Sequence, residues 1–220
     1  SFYKEIIGLQ ILENDGREAV LTADGRTPLL TMKQPKNVTP KQAKTTGLYH
    51  YALLLPSRAA LADILQHFIQ QKVPLGASDH LVSEALYLND PDGNGIEIYA
   101  DRSSSTWEWQ DGEVVMATEP LDAESLLAEG TGKPWEDLPA NTIMGHVHLH
   151  VSDLEQASKF YKEGLGFDIV RHYHQALFMS TGGGITIILP SIRGMALARL
   201  PLHKIVLVWT RFHLNFHPMK

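Results

Sequence analysis

A segment near the start of the chain recurs near its end. The sequence SFYKEIIGLQIL at residues 1–12 returns as KFYKEGLGFDIV at residues 159–170, and Phe-Tyr-Lys-Glu is shared between them. Internal repetition of this kind is typical of a chain built from copies of one supersecondary unit. The fold must therefore accommodate the same unit at least twice.

The residues around the second copy indicate what the unit contains. Val147, Leu149 and Val151 alternate with polar residues, which predicts a strand. Ser152 and Glu155 then have the spacing of a capping box at a helix start. Short alternating runs separated by Gly-containing turns follow each copy and predict further strands. The unit is therefore predicted to be one strand, one helix and about three strands.

This unit divides the chain into three modules. Residues 1–47 form a first module that begins in mid-helix, so a strand is expected to be missing before Ser1. Residues 48–101 form a complete second module, and residues 144–183 form an incomplete third one. Residues 102–143 are a connection with one short predicted helix in LDAESLLAEG. The predicted fold class is α+β, built from repeated βαβββ modules and incomplete at both ends.

Residues 184–220 form a tail that differs from the rest of the chain. All 25 acidic residues lie at or before Asp168, so the tail carries only apolar, neutral polar and basic residues. Basic residues among Leu, Ile, Val and Trp could form an interfacial membrane helix. Pro190 and Pro201 argue against a continuous helix. The tail is therefore expected to be atypical of the fold.

Composition excludes several classes of function. The net charge is −6 and most basic residues are interleaved with acidic ones, so nucleic acid is not an expected partner. The chain has no cysteine, which leaves His, Asp and Glu as candidate metal ligands. No signal peptide opens the sequence and no apolar run is long enough to span a bilayer. A cytoplasmic protein without a membrane partner is expected.

Three segments carry a resemblance to a known family: GLYHYALLLP, DHLVSEALYLNDPDGNGIEIYADR and GHVHLHVSDLEQASKFYKEGLGFDIV. From residue 1 to about 183, the chain resembles the vicinal-oxygen-chelate superfamily, which includes glyoxalases, bleomycin-resistance proteins and extradiol dioxygenases. It is most similar to ring-cleaving dioxygenases of the catechol 2,3-dioxygenase type. The resemblance implies modules paired into half-open barrels, with residues 1–101 as the N-terminal half. It also implies a non-haem Fe(II) or Mn(II) enzyme that cleaves a catecholic aromatic substrate with O2.

The resemblance also implies site residues. His50 and His146 match the metal-binding His on the first strand of a module, and Glu97 matches the carboxylate on the last strand. Two His and one carboxylate leave metal positions open for substrate and O2. Tyr87 and His80 match two groups that assist catalysis, as a substrate hydrogen-bonding group and an acid or base. His50 and Glu97 are expected in one barrel, and His146 in the other.

The tail has a further interpretation that depends on the resemblance. In similar proteins the strand after STGG reads much like YHHHI and carries another metal-binding His. With allowed codons, residues from Ile185 onward give YHHHIAFNTWHG when read one base out of frame. The hypothesis is that residues 184–220 are a frame-shifted tail. With the expected ligands divided between two incomplete barrels, an impaired enzyme is predicted.

Other interpretations stay open. The same modules occur in glyoxalase-like metal-dependent isomerases and lyases, which do not use O2, and in metal-free proteins that bind small aromatic compounds. His148 and His150 share a strand face with His146 and are expected to be structural. The spacing from Asp90 to Asp101 also fits a calcium loop, but alternating flanks favour a hairpin turn. Unpaired strand edges of an incomplete barrel predict a homodimer.

Overall fold

The computed structural model describes residues 2–36, 45–173, 175–181, 187–190 and 206–208. Its α-helices are Phe2–Glu5 (α1), Arg58–Gln70 (α2), Ala123–Leu127 (α3) and Leu154–Lys159 (α4), and a π-helical turn at Phe160–Gly164 continues α4. Its strands are Gln10–Asn14 (β1), Glu18–Thr22 (β2), Leu30–Lys33 (β3), Gly47–Leu54 (β4), Gly76–Asp79 (β5), Ser83–Asn89 (β6), Gly95–Asp101 (β7), Trp109–Gln110 (β8), Glu113–Val114 (β9), Ile143–His150 (β10), Asp168–Tyr173 (β11), Ala176–Ser180 (β12), Ile187–Pro190 (β13) and Val206–Val208 (β14).

Two complete modules build one eight-stranded sheet in the order β11-β12-β13-β10-β4-β7-β6-β5. In the second module, β4 pairs parallel with β7, and in the third module β10 pairs parallel with β13. The two modules meet where β4 and β10 pair antiparallel. The predicted fold class of βαβββ modules in a half-barrel is therefore confirmed.

Helix α2 covers one face of this sheet. It begins after Ser57, whose side chain accepts a hydrogen bond from the Ala60 amide. Leu61, Ile64 and Phe68 follow at helical spacing and are fully buried. They belong to the same core cluster as apolar residues of the central strands, including Tyr51, Leu53, Ile96 and Ile98. Because strand side chains alternate, His50 and Glu97 are placed on the opposite face.

The third module extends beyond the predicted bound at residue 183. Strand β13 lies between β10 and β12 and gives this module its fourth strand. Its residues Ile187, Ile188 and Leu189 form an uninterrupted apolar run, so the period-two pattern of a half-buried strand is absent. Apart from residues 187–190 and 206–208, the proposed frame-shifted tail lies outside the described residues.

The predicted helix start in the third module is displaced by one residue. Asp153, not Ser152, is the N-cap of α4, and its carboxylate accepts a hydrogen bond from the Gln156 amide. Both residue types are good N-caps, so sequence preference alone does not separate them. Helix α3 lies within the segment where a short helix was predicted.

The first module contributes a separate sheet in which β1, β2, β3 and β14 are neighbours in that order. Its helix α1 is tied to the second module by Tyr3, whose hydroxyl donates to Asp90 at 2.7 Å. Asp90 also accepts from the amides of Asp92 and Asn94 and from the Asn94 side chain. These contacts make Asp90 the organiser of a hairpin turn, and the calcium-loop alternative is not supported.

None of the helices in the part of the chain that the structure describes has the length and apolar character needed to span a membrane.

Candidate metal centre

Three buried side chains converge on the concave side of the eight-stranded sheet. His50 lies on β4, Glu97 on β7 and His146 on β10, and all are at most 6% exposed. One potential ligand atom from each residue lies within 4.8 Å of the other two. Among the described residues, these three are the His and carboxylate side chains that lie close enough together to hold a metal ion. We call it the metal triad.

The atomic contacts fit a metal site better than a simple ion pair. Nε2 of His146 lies 3.0 Å from Oε2 of Glu97 and can donate a hydrogen bond to it. Nε2 of His50 is buried and lies 2.8 Å from the same oxygen, but the direction of the ring nitrogen does not give a hydrogen bond of good geometry to it. A buried nitrogen without a partner is costly in a folded protein. A shared cation would satisfy it and compensate the Glu97 charge, and imidazole with carboxylate is a suitable donor set for iron or manganese.

The pKa shifts of Glu97 and His50 favour metal binding near neutral pH. Burial would raise the pKa of Glu97, but the charge and hydrogen bond of His146, with help from His50, lower this pKa overall. Burial lowers the pKa of His50, and the neighbouring Glu97 only partly opposes this effect. An ionised carboxylate and a neutral imidazole are the forms that bind a metal.

Strand register explains why the three residues meet. Ala52 of β4 pairs with Glu97 on one side and with His146 on the other. The triad therefore surrounds a small, fully buried residue at the junction of the two modules. The expectation that His146 would lie in a different barrel from His50 and Glu97 was wrong. The antiparallel pairing of β4 with β10 brings the second and third modules together and removes this reason to predict impairment.

A β-bulge precedes each triad His. The pairing of β4 with β10 skips Tyr49, directly before His50, and skips Gly145, directly before His146. Bulges add a residue to one strand and re-aim neighbouring side chains, and they occur often beside active sites. Here they adjust the direction of both imidazoles toward the same point.

His80 and Tyr87 form a hydrogen-bonded pair beside the triad. Nδ1 of His80 lies 2.8 Å from the carbonyl oxygen of Ala117, and Nε2 lies 2.7 Å from the Tyr87 hydroxyl. A carbonyl only accepts, so Nδ1 carries a proton and donates to it, and Nε2 accepts a hydrogen bond from the Tyr87 hydroxyl. Tyr87 is also the cross-strand partner of Glu97. Burial, followed by the Glu97 charge, raises the pKa of Tyr87.

The triad lies on the wall of a cavity of about 620 Å³, a size typical of small-molecule sites. The structure brings all five sequence-predicted site residues to this cavity. It also adds residues that sequence reasoning missed, notably from the connection, which contributes Trp107, Met116 and Thr118. The backbone of Ala117 in the same segment holds His80, so the connection is a wall of the site.

His148 lies in the cavity wall, although it was expected to be structural only. Its ring is 4.6 Å from that of His50 and 4.8 Å from that of Tyr49, centroid to centroid. Burial, and then the nearby His50, lowers the pKa of His148 to about 2. It is therefore a neutral imidazole facing the cavity. Its spacing of two residues from His146 was the available signal, because strand residues i and i+2 share a face.

Replacing Asp101 with Asn is expected to stabilise the metal-free protein at pH 8 but not at pH 4. Asp101 is exposed at the end of β7, but partial desolvation where it lines the cavity raises its pKa to about 6, with His146 opposing and Glu97 adding to the shift. A carboxyl whose pKa is raised by folding favours the fold when protonated, so its ionisation costs stability above about pH 6. Thermal unfolding in EDTA at both pH values measures the effect, with Asp92→Asn on the exposed turn as the control. An equal change in Tm at pH 4 and pH 8 would contradict the assignment.

Comparison with known proteins agrees with this architecture. A sequence profile of the glyoxalase/bleomycin resistance protein/dioxygenase superfamily matches residues 1–98. A second profile, for the bleomycin resistance protein-like N-terminal region, matches residues 143–182. Together they span both modules that supply the triad. Over residues 1–98 and 143–182, the chain matches this superfamily.

Individual members of the superfamily show how far the likeness extends. The chain is 50% identical over 186 residues to a catechol-2,3-dioxygenase of Bacillus subtilis (strain 168), covering 83% of this chain and 65% of the relative. It thus spans slightly less than two thirds of that relative. Similar solved structures include glyoxalase I from Zea mays, with a TM-score of 0.43 and 14% identity over 86% of this chain and 60% of that one. Another is BphC, a halotolerant catechol dioxygenase, with a TM-score of 0.36 and 16% identity over 87% and 59%.

Proposed function

We propose that this chain carries the metal centre of an extradiol-type dioxygenase that acts on catecholic aromatic compounds. The observation that carries the proposal is the buried triad of two His and one Glu on a cavity wall. The relative named catechol-2,3-dioxygenase supports the reaction class. The hydrogen-bonded pair of His80 and Tyr87 supports it independently, because deprotonation of a diol needs a proton acceptor near the metal.

His50, Glu97 and His146 would hold the metal, with Fe(II) as the first candidate and Mn(II) as the second. Two imidazoles and one carboxylate are the donor set of non-haem Fe(II) oxygenases, in which open positions remain for other ligands. When bound, such an ion supplies Lewis-acid chemistry to the diol and redox chemistry toward O2.

Tyr87 and His80 would move a proton away from the substrate. The Tyr87 oxygen accepts a proton from a catechol hydroxyl as its own proton passes to Nε2 of His80. His80 becomes an imidazolium, while its Nδ1–H continues to donate a hydrogen bond to the Ala117 carbonyl and keeps the ring oriented. The raised pKa of Tyr87 disfavours a phenolate, in agreement with a transfer in which the Tyr87 oxygen gains one proton as it loses another.

The two modules present different chemistry to the cavity. Tyr87 pairs with Glu97 across β6 and β7, and Phe178 pairs with Ile188 at the corresponding positions of β12 and β13. The second module thus supplies polar groups where the third supplies apolar ones. We therefore propose that the diol of the substrate faces the second module and that its carbon skeleton lies against Phe178 and Ile188.

Oxygen consumption by the Fe(II)-loaded protein with catechol tests the function. The expected result is a ring-opened product that contains both oxygen atoms of isotopically labelled O2, with no product under nitrogen. Conversion of a substrate without O2 consumption would overturn the proposal in favour of a glyoxalase-like isomerase or lyase. Quenching of Trp fluorescence by catechol in protein that takes up no metal would overturn it in favour of a binding protein.

Association into a homodimer stays a prediction.

A further inference from the structure

Tyr99 fills the space in which a side chain at position 145 would lie. A Cβ built on Gly145 would overlap the Tyr99 hydroxyl oxygen and lie only 2.6 and 2.7 Å from two carbons of its ring. Real Cβ atoms do not approach ring carbons so closely. Any residue other than glycine at position 145 therefore has to displace Tyr99 or the backbone of β10.

The Tyr99 side chain is packed against neighbouring strands and also lines the cavity. Its side chain is 6% exposed and packs in a small cluster with Ala52 and Ala85, against which Leu54 and Tyr87 also pack. Tyr99 lies on β7, which is paired on both sides by β4 and β6. An overlap at Gly145 would therefore either displace the Tyr99 ring toward the cavity, which changes its contact with His146, or displace the backbone of β10.

That backbone determines the direction of His146. Gly145 is the bulged residue directly before His146, and the Tyr99 ring lies 5.1 Å from the His146 ring at an angle of 57°. On the other side of the site, the bulged residue before His50 is Tyr49, whose own ring lies 5.2 Å from that of His50. Each triad His thus has an aromatic neighbour beside its bulge, but for His146 this neighbour comes from another strand.

We propose that Tyr99 is a positioning residue for His146, and that Gly145 leaves the space which the Tyr99 ring requires to hold this imidazole toward Glu97 and the metal. The inference rests on the proposed function only in taking His146 as a metal ligand. Groups that orient metal ligands typically change metal affinity by ~10–100-fold when altered.

The first test is a set of glycine and tyrosine variants measured by Mn(II) binding. Gly145→Ala is expected to weaken binding by about 10-fold or more. Gly76→Ala is the matched control, because its Cβ would lie an ordinary 3.8 Å from the nearest atom, and it is expected to bind like the wild type. Tyr99→Leu should also weaken binding by about 10-fold, and Gly145→Ala should add little in that background, since the overlap with the ring is gone.

Two spectroscopic readouts separate positioning from general destabilisation. The visible spectrum of bound Co(II) should change in Gly145→Ala and Tyr99→Leu but not in Gly76→Ala. In the metal-free protein, the NMR signal of His146 Nε2, which reports its hydrogen bond to Glu97, should shift in the same two variants. If Gly145→Ala does not fold, Tyr99→Leu carries the test because it creates no overlap.

The outcomes distinguish this inference from the proposed function. Additive losses in the double variant, or an unchanged His146 signal in Tyr99→Leu, would overturn the positioning role even if the enzyme is active. Wild-type protein that binds neither Mn(II) nor Co(II) would overturn the proposed function, and the His146 signal of the metal-free variants would then decide the positioning role alone.

Discussion

Replacing Glu97 with Gln is expected to abolish stoichiometric metal binding while leaving the protein folded. The amide keeps the volume of the buried side chain but removes the negative charge that compensates a divalent cation. Substitution of a group that only orients a metal ligand weakens metal binding by up to ~100-fold, so loss of the ligand itself should weaken metal binding further. Metal content after incubation with Fe(II) and dialysis, with circular dichroism as a measure of folding, checks the prediction. Retention of stoichiometric metal by Glu97→Gln would exclude Glu97 as a ligand.

Glu84 offers a matched control for this experiment. It is as buried as Glu97, with 3% exposure, but it is held by the guanidinium groups of Arg58 and Arg102 instead of by imidazoles. Glu84→Gln is expected to keep the metal and to lower the free energy of unfolding by about 2 kcal/mol, since both arginines retain partial access to water. The same substitution at two equally buried positions thus separates an effect on metal binding from an effect on the free energy of unfolding.

Replacing Tyr87 with Phe is expected to lower the turnover of catechol by about 10²–10⁴-fold without loss of metal, the range typical of a lost acid or base. The phenylalanine ring preserves the packing of β6 but cannot pass a proton from the substrate to Nε2 of His80. Steady-state kcat, measured on protein of verified iron content, checks this prediction. Loss of iron together with activity would instead assign Tyr87 a role in assembling the triad.

Tyr173→Phe is the control for the loss of a phenol from the same cavity. Tyr173 lines the cavity wall on β11, but it is 42% exposed and belongs to the third module. The two ring nitrogens of His80 contact Ala117 and Tyr87, so Tyr173 lies outside the proposed proton path and Tyr173→Phe is expected to change kcat by less than about twofold. Equal losses in Tyr87→Phe and Tyr173→Phe would contradict a specific proton path through Tyr87.

Much of the local structure could be predicted from particular residues. The spacing of Leu61, Ile64 and Phe68 predicts a helix with one buried face, and that is how α2 packs. The turn residues that follow Asp90 predict the hairpin between β6 and β7. In each case, the signal lies within a few residues of the element that it describes, so no distant contact is needed to interpret it.

The candidate site was predictable in its members but not in its assembly. His50, Glu97 and His146 were singled out by resemblance, and their placement in one cluster depends on which strand pairs with which. Ala52 and Gly145 carry no chemical signal, yet the first lies at the centre of the triad and the second makes room for Tyr99. The role of a small residue is visible only once its neighbours are known.

The sequence by itself determined the repeated βαβββ unit, the faces of its strands and the residue types that could bind a metal, because these follow from periodicities of two and 3.6 residues and from side-chain chemistry. Only the tertiary structure decided that the second and third modules share one sheet. The pairing of β4 with β10 joins segments nearly a hundred residues apart through backbone hydrogen bonds, which are available to any strand edge. Backbone pairing carries little side-chain specificity, so the partner of β4 is selected by packing of the whole chain and not by any local pattern.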